Sequence, residues 1–350
     1  MNSDKITKDK REVKTKNLKN NIIQNVSLIC TVYNEAHNIE DFLNSIFSMN
    51  QLPSEIVIVD GGSSDSTGTI IKNYFNNYKG DISTRLIIDD KCNIKCTPAP
   101  IARGRNVAIT NASNEIIATT DAGCTLDNNW FYKITEPLVR DNNIDVVSGW
   151  YIPDSRSSIE KLFAIVMVTP IEKVSEDTFI PSSRSFAFKK SAWEKVGGYP
   201  ENSYWGEDTF FVLNLRKAGF KFSFINEAIV HWRMRTNIFS FIKTARNYGY
   251  GDGFNNIMFS NVIKNTTKVA IGIILLTLGI FISPYFLIML LIYWWFLPFY
   301  KRFKKALELN NIMRFPIISI LKIISDITYI FGYIHGKLAR PRKNNFNVEK

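Results

Sequence analysis

Carboxylates and arginines in this chain cluster just past short apolar runs, where a fold would gather them. Thr31 ends the run VSLICT at 26–31, Tyr33 and Glu35 follow it, and Asp60 closes a second run, EIVIVD, at 55–60. Asp121 follows IIATT at 116–120, and Arg103 and Arg105 lie a little earlier, in ARGRNVAI. Glu207 and Asp208 open an apolar-periodic stretch at 209–217. Such a set suits a nucleoside diphosphate. Carboxylates accept hydrogen bonds from a ribose or base, and an acid beside a diphosphate can hold a divalent cation that keeps several waters. A guanidinium can neutralise phosphate or grip a carboxylate through two parallel bonds. Each signal alone is weak, because Ser/Asp clusters and acidic pairs also cap helices. No GxGxxG follows the first run and no GxxxxGK[ST] occurs, so the dinucleotide fold and the P-loop are disfavoured. Cys92 and Cys96 form a CxxxC pair without a second pair, which argues against zinc.

The elements that must hold these residues alternate. Helical spacing at 38–49, 66–75 and 100–110 separates the strand-like runs, with a further short strand at 86–88. Repeated βα units predict a mostly parallel sheet, with ligands bound beyond the carboxyl ends of the strands. The length of 350 residues allows one large domain or two ordinary ones, and 45% apolar with 21% charged residues excludes wholesale disorder. A net charge of +11 calls for an anionic partner: nucleic acid, a phosphate-bearing substrate or lipid headgroups. That charge is concentrated in the first 20 residues and beside the C-terminal apolar segments. No nucleic-acid motif accompanies it, so nucleic acid is the weakest of the three.

Residues 269–300 run without a charge, well beyond the ~20 residues of a spanning helix. Pro284 lies near the middle, and the cluster KRFKK at 301–305 ends the run. One continuous helix would measure about 48 Å at ~1.5 Å per residue, against a hydrocarbon core of about 30 Å. Two halves broken at Ser283-Pro284 would form a hairpin and return KRFKK to the side of the N-terminal domain, as the positive-inside tendency prefers. A third apolar stretch, 315–334, carries Lys322 and Asp326 four residues apart and either spans or lies in the interface. The basic N-terminal arm has no signal-peptide h-region, so the domain after it is expected to be cytoplasmic with reduced thiols.

In order and spacing, TVYNEAHNIEDFLNSI, IVDGGSSDST, ARGRNVAI, TTDAGC and GGYPENSYWGEDTFF resemble the inverting glycosyltransferases of family 2, over roughly residues 26–250. The C-terminal apolar segments resemble those of membrane-bound members. The resemblance implies a GT-A fold: an α/β nucleotide-sugar-binding domain with a mostly parallel sheet, followed by C-terminal membrane helices. The expected division is a basic disordered arm (1–25), the catalytic domain (26–238), an amphipathic interface segment (239–268), a membrane hairpin (269–300), a third membrane or interfacial helix (314–336) and a basic tail (337–350).

Residue by residue, the resemblance implies that Thr31, Tyr33, Glu35 and Asp60 surround the nucleoside and that Arg103, Arg105 and Asn106 form the basic donor segment. Asp121 would meet the ribose and the metal-bound diphosphate, and Asp208 would be the general base. Ser183, Arg184, Glu207 and Arg246 fall on the acceptor side. His231, in VHWRMR, matches a late histidine and joins Asp121 as a ligand for Mg²⁺ or Mn²⁺. Two departures stand out: Gly61 follows Asp60, and Gly123 follows Asp121 by two, where many members place further aspartates. Processive members carry a Q-x-x-R-W motif; here Lys243–Asn247 reads KTARN and keeps only Arg246, which implies addition of one or a few sugars.

The function implied is a membrane-anchored transferase moving a sugar, with inversion, from a nucleoside-diphosphate sugar to a hydroxyl or lipid-phosphate acceptor. Its setting would be glycolipid, cell-surface polysaccharide or glycan assembly. The partners implied are a nucleotide-sugar donor and a membrane lipid or lipid-linked glycan, with no nucleic acid. The alternative is a silent member acting as a membrane-bound nucleotide-sugar sensor or scaffold. Gly123 motivates it, and the presence of Asp121 and Asp208 weighs against it.

Overall fold

The computed structural model describes residues 22–171, 174, 179–202, 205–296 and 315–340. The arm at 1–21, the KRFKK cluster and the tail past 340 lie outside the described residues. The chain divides into two units, one of residues up to 154 with 171–233, the other of 155–170 with the chain from 234 on.

In the first unit the apolar runs become strands and the periodic stretches between them become helices: β1 (Ile22–Val32), α1 (Ile39–Phe47), β2 (Leu52–Asp60), α2 (Thr67–Asn77), β3 (Ser83–Ile88), α3 (Pro100–Asn111), β4 (Ile116–Thr119), β5 (Cys124–Leu126), α4 (Trp130–Arg140) and β6 (Val146–Asp154). The chain then leaves for α5 (Ser158–Met167), which belongs to the second unit, and returns as β7 (Phe186–Lys189), α6 (Lys190–Lys195), α7 (Glu207–Lys217) and β8 (Phe222–Arg233). The eight strands form one sheet in the order β3-β2-β1-β4-β7-β6-β8-β5. β3, β2, β1 and β4 run parallel, as do β6 and β8, while β7 is antiparallel to both β4 and β6, and β5 is antiparallel to β8.

The parallel half explains its own sequence. Val26, Leu28, Ile29 and Cys30 of β1 and Ile56–Val59 of β2 are buried, because helices cover both faces. The core under α3 and α7 joins Val57, Ala102, Ala108, Phe186, Phe188, Phe211 and Leu215. α3 comes unusually near β1. A Cβ on Gly104 would fall 2.2 Å from Thr31 Oγ1, so only glycine allows that approach. Two boundaries differ from expectation. β1 begins at Ile22, inside the arm expected at 1–25, because Ile22 and Ile23 pair with Leu52 and Pro53 before the strand shifts register ahead of Ser27. The catalytic domain expected at 26–238 gives up 155–170, since Leu162, Phe163, Ile165 and Val166 of α5 pack with Phe241, Ile318 and Leu321 of the second unit.

The second unit contains α8 (Ile238–Asn255), α9 (Phe259–Phe281), α10 (Tyr285–Phe296) and α11 (Phe315–Ala339). The helix breaks at Ser283-Pro284 and the chain turns back there: a Cβ on Gly279 would fall 2.4 Å from Leu287 Cδ2. The first arm, however, starts ten residues before the expected 269. Lys264, Asn265 and Lys268 are polar, but lysine is a good helix former and no Gly or Pro interrupts this stretch. Its 23 residues span about 35 Å at ~1.5 Å per residue. Among the described residues, two helices are long and apolar enough to cross a membrane, Phe259–Phe281 and Pro316–Ala339.

α8 and α11 run parallel in close contact through glycines four residues apart on each. Cβ atoms on Gly249 and Gly253 would lie 2.0 Å from the carbonyl oxygens of Tyr329 and Tyr333, and one on Gly332 would lie 2.0 Å from that of Arg246. This small-xxx-small pairing lets two backbones approach as larger residues cannot. Gly332→Leu should therefore force the helices apart and cost about 1–3 kcal/mol as an overpacking defect. Thermal unfolding of the purified chain checks this, and an unchanged midpoint would contradict it.

Candidate active site

The carboxyl ends of β1, β2 and β4 bring the polar groups together. After β1, Asn34 takes a positive φ of 53°, and the loop is tied to the one after β2. The Asn34 N–H donates to Ser63 Oγ (2.9 Å), the Glu35 N–H to Thr67 Oγ1 (2.8 Å) and the Ala36 N–H to Asp65 Oδ2 (3.1 Å). Tyr33 is exposed and Glu35 half-buried, with its Oε2 accepting from Asn38 Nδ2 at 3.1 Å. Asp60 is turned inward: it is 2% exposed, and its Oδ1 accepts from both the amide (2.8 Å) and the hydroxyl (2.7 Å) of Ser63. It shapes the loop that carries Ser63–Asp65 rather than presenting a free carboxylate. The glycine after it is required, since a Cβ on Gly61 would fall 2.7 Å from the Cys92 carbonyl oxygen.

Arg105 is the centre of the site. It projects from α3, is 3% exposed, and spends its two terminal nitrogens on carboxylates 16 and 102 residues away: Nη2 on Asp121 Oδ1 and Nη1 on Glu207 Oε1, each at 2.7 Å. Its guanidinium carbon stands 5.3 Å from the Tyr199 ring. Of the two uses open to a guanidinium in the sequence, phosphate neutraliser or carboxylate grip, the structure shows the second. Arg103 also holds an acid, Glu201, at 3.2 Å, and Asn106 bonds the Tyr199 carbonyl and Glu201. Together they latch α3 to the 199–201 segment.

Asp121 has a second arginine. Arg184 Nε lies 3.7 Å from its Oδ2, while the Arg184 guanidinium stacks 4.1 Å over the Trp232 ring and 5.5 Å from that of Tyr151. Burial opposes ionisation of Asp121, but Arg105 and Arg184 outweigh it and hold the carboxyl below its usual range. Nearby, burial first and the Asp121 charge second push the thiols of Cys30 and Cys124 well up, so both stay protonated.

At the start of α7, Gly206 adopts a φ of 76°, a conformation that favours glycine. The turn sends the next two side chains different ways. Glu207 points inward to Arg105 and is 7% exposed. Asp208 is half-buried, with Oδ1 accepting the Thr209 N–H at 2.8 Å. Both sit in the first turn, where the helix dipole favours negative charge. Burial, and next the charge of Asp208, raise Glu207 to about 7 despite Arg105. The folded chain therefore binds a proton at Glu207 that the unfolded chain has released once pH passes 4.5, the ordinary value. Stability from this group is full below that pH and is lost as pH rises to about 7. Glu207→Gln should flatten that part of the stability–pH curve; an identical slope in the variant would contradict the assignment.

Three expected positions differ. Ser183 is buried, with Oγ 2.9 Å from the Tyr199 hydroxyl, and braces the interior rather than an acceptor. Glu207, also expected on the acceptor side, is the buried partner of Arg105. His231 does not join Asp121. Successive strand residues face opposite sides, and Trp232 faces Asp121 through Arg184, so His231 faces the other way; β5 pairs Cys124 with Trp232 and Thr125 with His231. Among the described residues, no three His, Cys, Asp or Glu groups converge on a metal position. Asp121 Oδ2, held only loosely by Arg184, is the carboxylate oxygen open to a cation. One carboxylate with diphosphate oxygens fits the way Mg²⁺ is ordinarily bound. Arg246 belongs to the second unit, where Nη2 lies 3.2 Å from His335 Nδ1. Sequence reasoning missed Tyr199, Trp232 and Tyr151, which position the two central arginines; the dense aromatics after 148 were the available signal.

Known proteins resemble this chain in sequence and in fold. The family model for glycosyl transferase family 2 matches residues 27–197, and that for glycosyl transferase family group 2 matches 116–302. Glycosyltransferase AglE of Haloferax volcanii is 25% identical over 209 residues, covering 58% of this chain and 65% of its own. Poly-beta-1,6-N-acetyl-D-glucosamine synthase of Staphylococcus epidermidis is 26% identical, covering 53% and 43%. O-antigen chain rhamnosyltransferase WbaN of Salmonella anatum is 24% identical, covering 58% and 64%. The chain thus spans less than two thirds of each relative's length. Among solved structures, mannosyltransferase PcManGT from Pyrobaculum calidifontis, in complex with GDP-Man and Mn²⁺, superposes with a TM-score of 0.54 at 17% identity, over 90% of this chain and 87% of that one. That likeness shows the fold, of the GT-A type expected. With a family model covering more than half of its length, from the strand before Asp121 past the end of α10, the chain belongs to glycosyl transferase family group 2.

Proposed function

We propose that the protein is a membrane-anchored transferase. It moves a sugar from a nucleoside-diphosphate sugar to a hydroxyl or lipid-phosphate acceptor, inverting the anomeric carbon, in glycolipid, cell-surface polysaccharide or glycan assembly. The observation that carries this reading is the buried charge link Asp121–Arg105–Glu207, which fixes the strand-end carboxylate of a donor site beside the helix start that bears Asp208. The loops after β1 and β2, with Tyr33, Glu35 and the Ser63–Asp65 turn, would hold the nucleoside. Arg184, stacked on Trp232, would stand where the diphosphate meets Asp121. Asp208 would accept the acceptor's proton as the new bond forms, so that one displacement inverts the sugar carbon. Asp121 would hold Mg²⁺ or Mn²⁺, which when bound supplies positive charge to the leaving diphosphate.

The exposed apolar faces of α9 and α11 would seat the chain in a membrane, with the hairpin at Ser283-Pro284 and the first unit on the cytoplasmic side, where nucleotide sugars are made. KTARN in place of the processive motif favours transfer of one or a few sugars. The test is a donor panel: purified protein with each common nucleotide sugar, read by nucleoside-diphosphate release and thermal stabilisation. One donor is expected to stabilise the chain and turn over; no effect from any donor would contradict the reading.

The cation part has its own test. Gly123 does not take a positive φ, and a Cβ there meets nothing within 4 Å. The Cβ of Gly123→Asp therefore meets no clash, and the substitution can bring in a second carboxylate. Added ligand charge tightens divalent sites. Mn²⁺ affinity with nucleoside diphosphate present should rise about tenfold, or ~1.4 kcal/mol, read by electron paramagnetic resonance. Unchanged affinity would remove Asp121 as the cation's ligand.

A further inference from the structure

Among the described residues of the second unit, the acids are Glu160, Asp252 and Asp326, against a larger set of lysines and arginines. Each acid is engaged elsewhere. Glu160 accepts the Arg156 N–H at 2.6 Å, Asp252 accepts the Tyr329 hydroxyl, and Asp326 takes Lys322 and, at 3.9 Å, Lys268. Arg246 instead meets a second potential cation, His335, with Nη2 3.2 Å from Nδ1.

A guanidinium can only donate. His335 Nδ1 must therefore accept, which puts the neutral ring's hydrogen on Nε2. Arg246 thus keeps its remaining N–H groups, and His335 its Nε2–H, and neither side chain meets an acid among the described residues. Both side chains are exposed, and Lys243 lies one turn before Arg246 on the same face of α8. The placement is rigid, because the pair flanks the closest approach of α8 and α11, where Gly332 meets the Arg246 carbonyl. The Tyr250 ring stands edge-on to His335 at 5.2 Å.

The face of α11 that carries His335 is apolar. Phe331, Ile334 and Leu338 share the face of α11 with His335 by their spacing, and they are 67%, 49% and 79% exposed. A donor pair set into an exposed apolar stripe is complementary to an amphiphile with an anionic head and a hydrocarbon tail. Guanidinium is the side chain best matched to phosphate oxygens.

We infer that Arg246 and His335 form a binding site for the terminal phosphate of a lipid, a monoester or diphosphate, whose tail lies along Phe331, Ile334 and Leu338. The site deepens the proposed function, on which it rests, by giving the lipid-linked acceptor a recognised headgroup.

The probe is farnesyl phosphate, titrated against the purified full chain in phosphatidylcholine nanodiscs. Farnesol, inorganic phosphate and phosphatidylglycerol are the comparison arms. Farnesyl phosphate should bind at least tenfold more tightly than each of them. Arg246→Gln and His335→Phe should each weaken it about tenfold, while His335→Gln, which keeps a donor, should weaken it less. The unfolding midpoint of each variant identifies any that fails to fold. Farnesol binding as tightly as farnesyl phosphate would overturn the site, as would folded variants that bind like wild type. Inorganic phosphate or phosphatidylglycerol binding equally would overturn the assignment to a terminal lipid phosphate. Nucleotide binding on the same samples reports on the first unit. Its absence would contradict the transferase reading while leaving a headgroup-selective result standing.

Discussion

Replacing Asp208 with asparagine is expected to lower sugar transfer by about 10²–10⁴-fold, the usual loss when a general base is removed, with donor affinity little changed. The amide keeps the shape and can still accept the Thr209 N–H that Asp208 Oδ1 now receives, so the helix start should survive. What it cannot do is take a proton. Glu207 cannot substitute, because it is buried and committed to Arg105. The measurement is kcat and KM for the donor found in the panel, beside a direct donor titration. A near wild-type kcat would reduce Asp208 to a helix cap.

Arg105→Met is expected to be the most damaging substitution to stability. It would leave Glu207 and Asp121 without the cation that both now contact at 2.7 Å. Breaking a buried pair by removing one partner typically costs about 3–5 kcal/mol, or roughly 6–20 °C in unfolding midpoint at about 2–4 °C per kcal/mol. Arg105→Lys keeps the charge but not the fork that spans two carboxylates, so it should fall between. Adding Glu207→Gln to Arg105→Met should recover part of the loss, because one of the two buried carboxyls left without its partner is gone. A double-mutant cycle reads that coupling. Strict additivity would mean that the two side chains do not act as a unit.

The difference between Arg105 as a phosphate ligand and Arg105 as a buried clamp shows how far the sequence could be read. The parallel half of the sheet was legible because buried parallel strands write continuous apolar runs: 116–120 became β4 to within a residue, and 55–60 became the C-terminal two thirds of β2, which begins at Leu52. Asp121 and Asp208 were legible by position, one past a strand end and one at a helix start. The burial of Arg105 was not. It depends on Gly104 letting α3 close against Thr31, and on two acids far away in the chain arriving at the same point. The orientation of His231 was hidden for a similar reason. It follows from Trp232 lying on the Asp121 side, which needs the register of β8 with β5. The α8–α11 contact was spelled out by glycines four apart at 249 and 253, and at 332 and 336. Aromatic and charged residues between them made α8 read as an interfacial surface instead.

The central claim is a single inverting displacement from a nucleotide sugar with Asp208 as base. Its most direct test uses the donor selected by the panel, labelled with ¹³C at the anomeric carbon, with lipid-linked acceptor in membranes carrying the purified chain. Nuclear magnetic resonance of the product then gives the anomeric configuration. The account predicts nucleoside-diphosphate release matched by a product of inverted configuration, both lost in Asp208→Asn. A product of retained configuration, or transfer that continues unchanged in that variant, would contradict it.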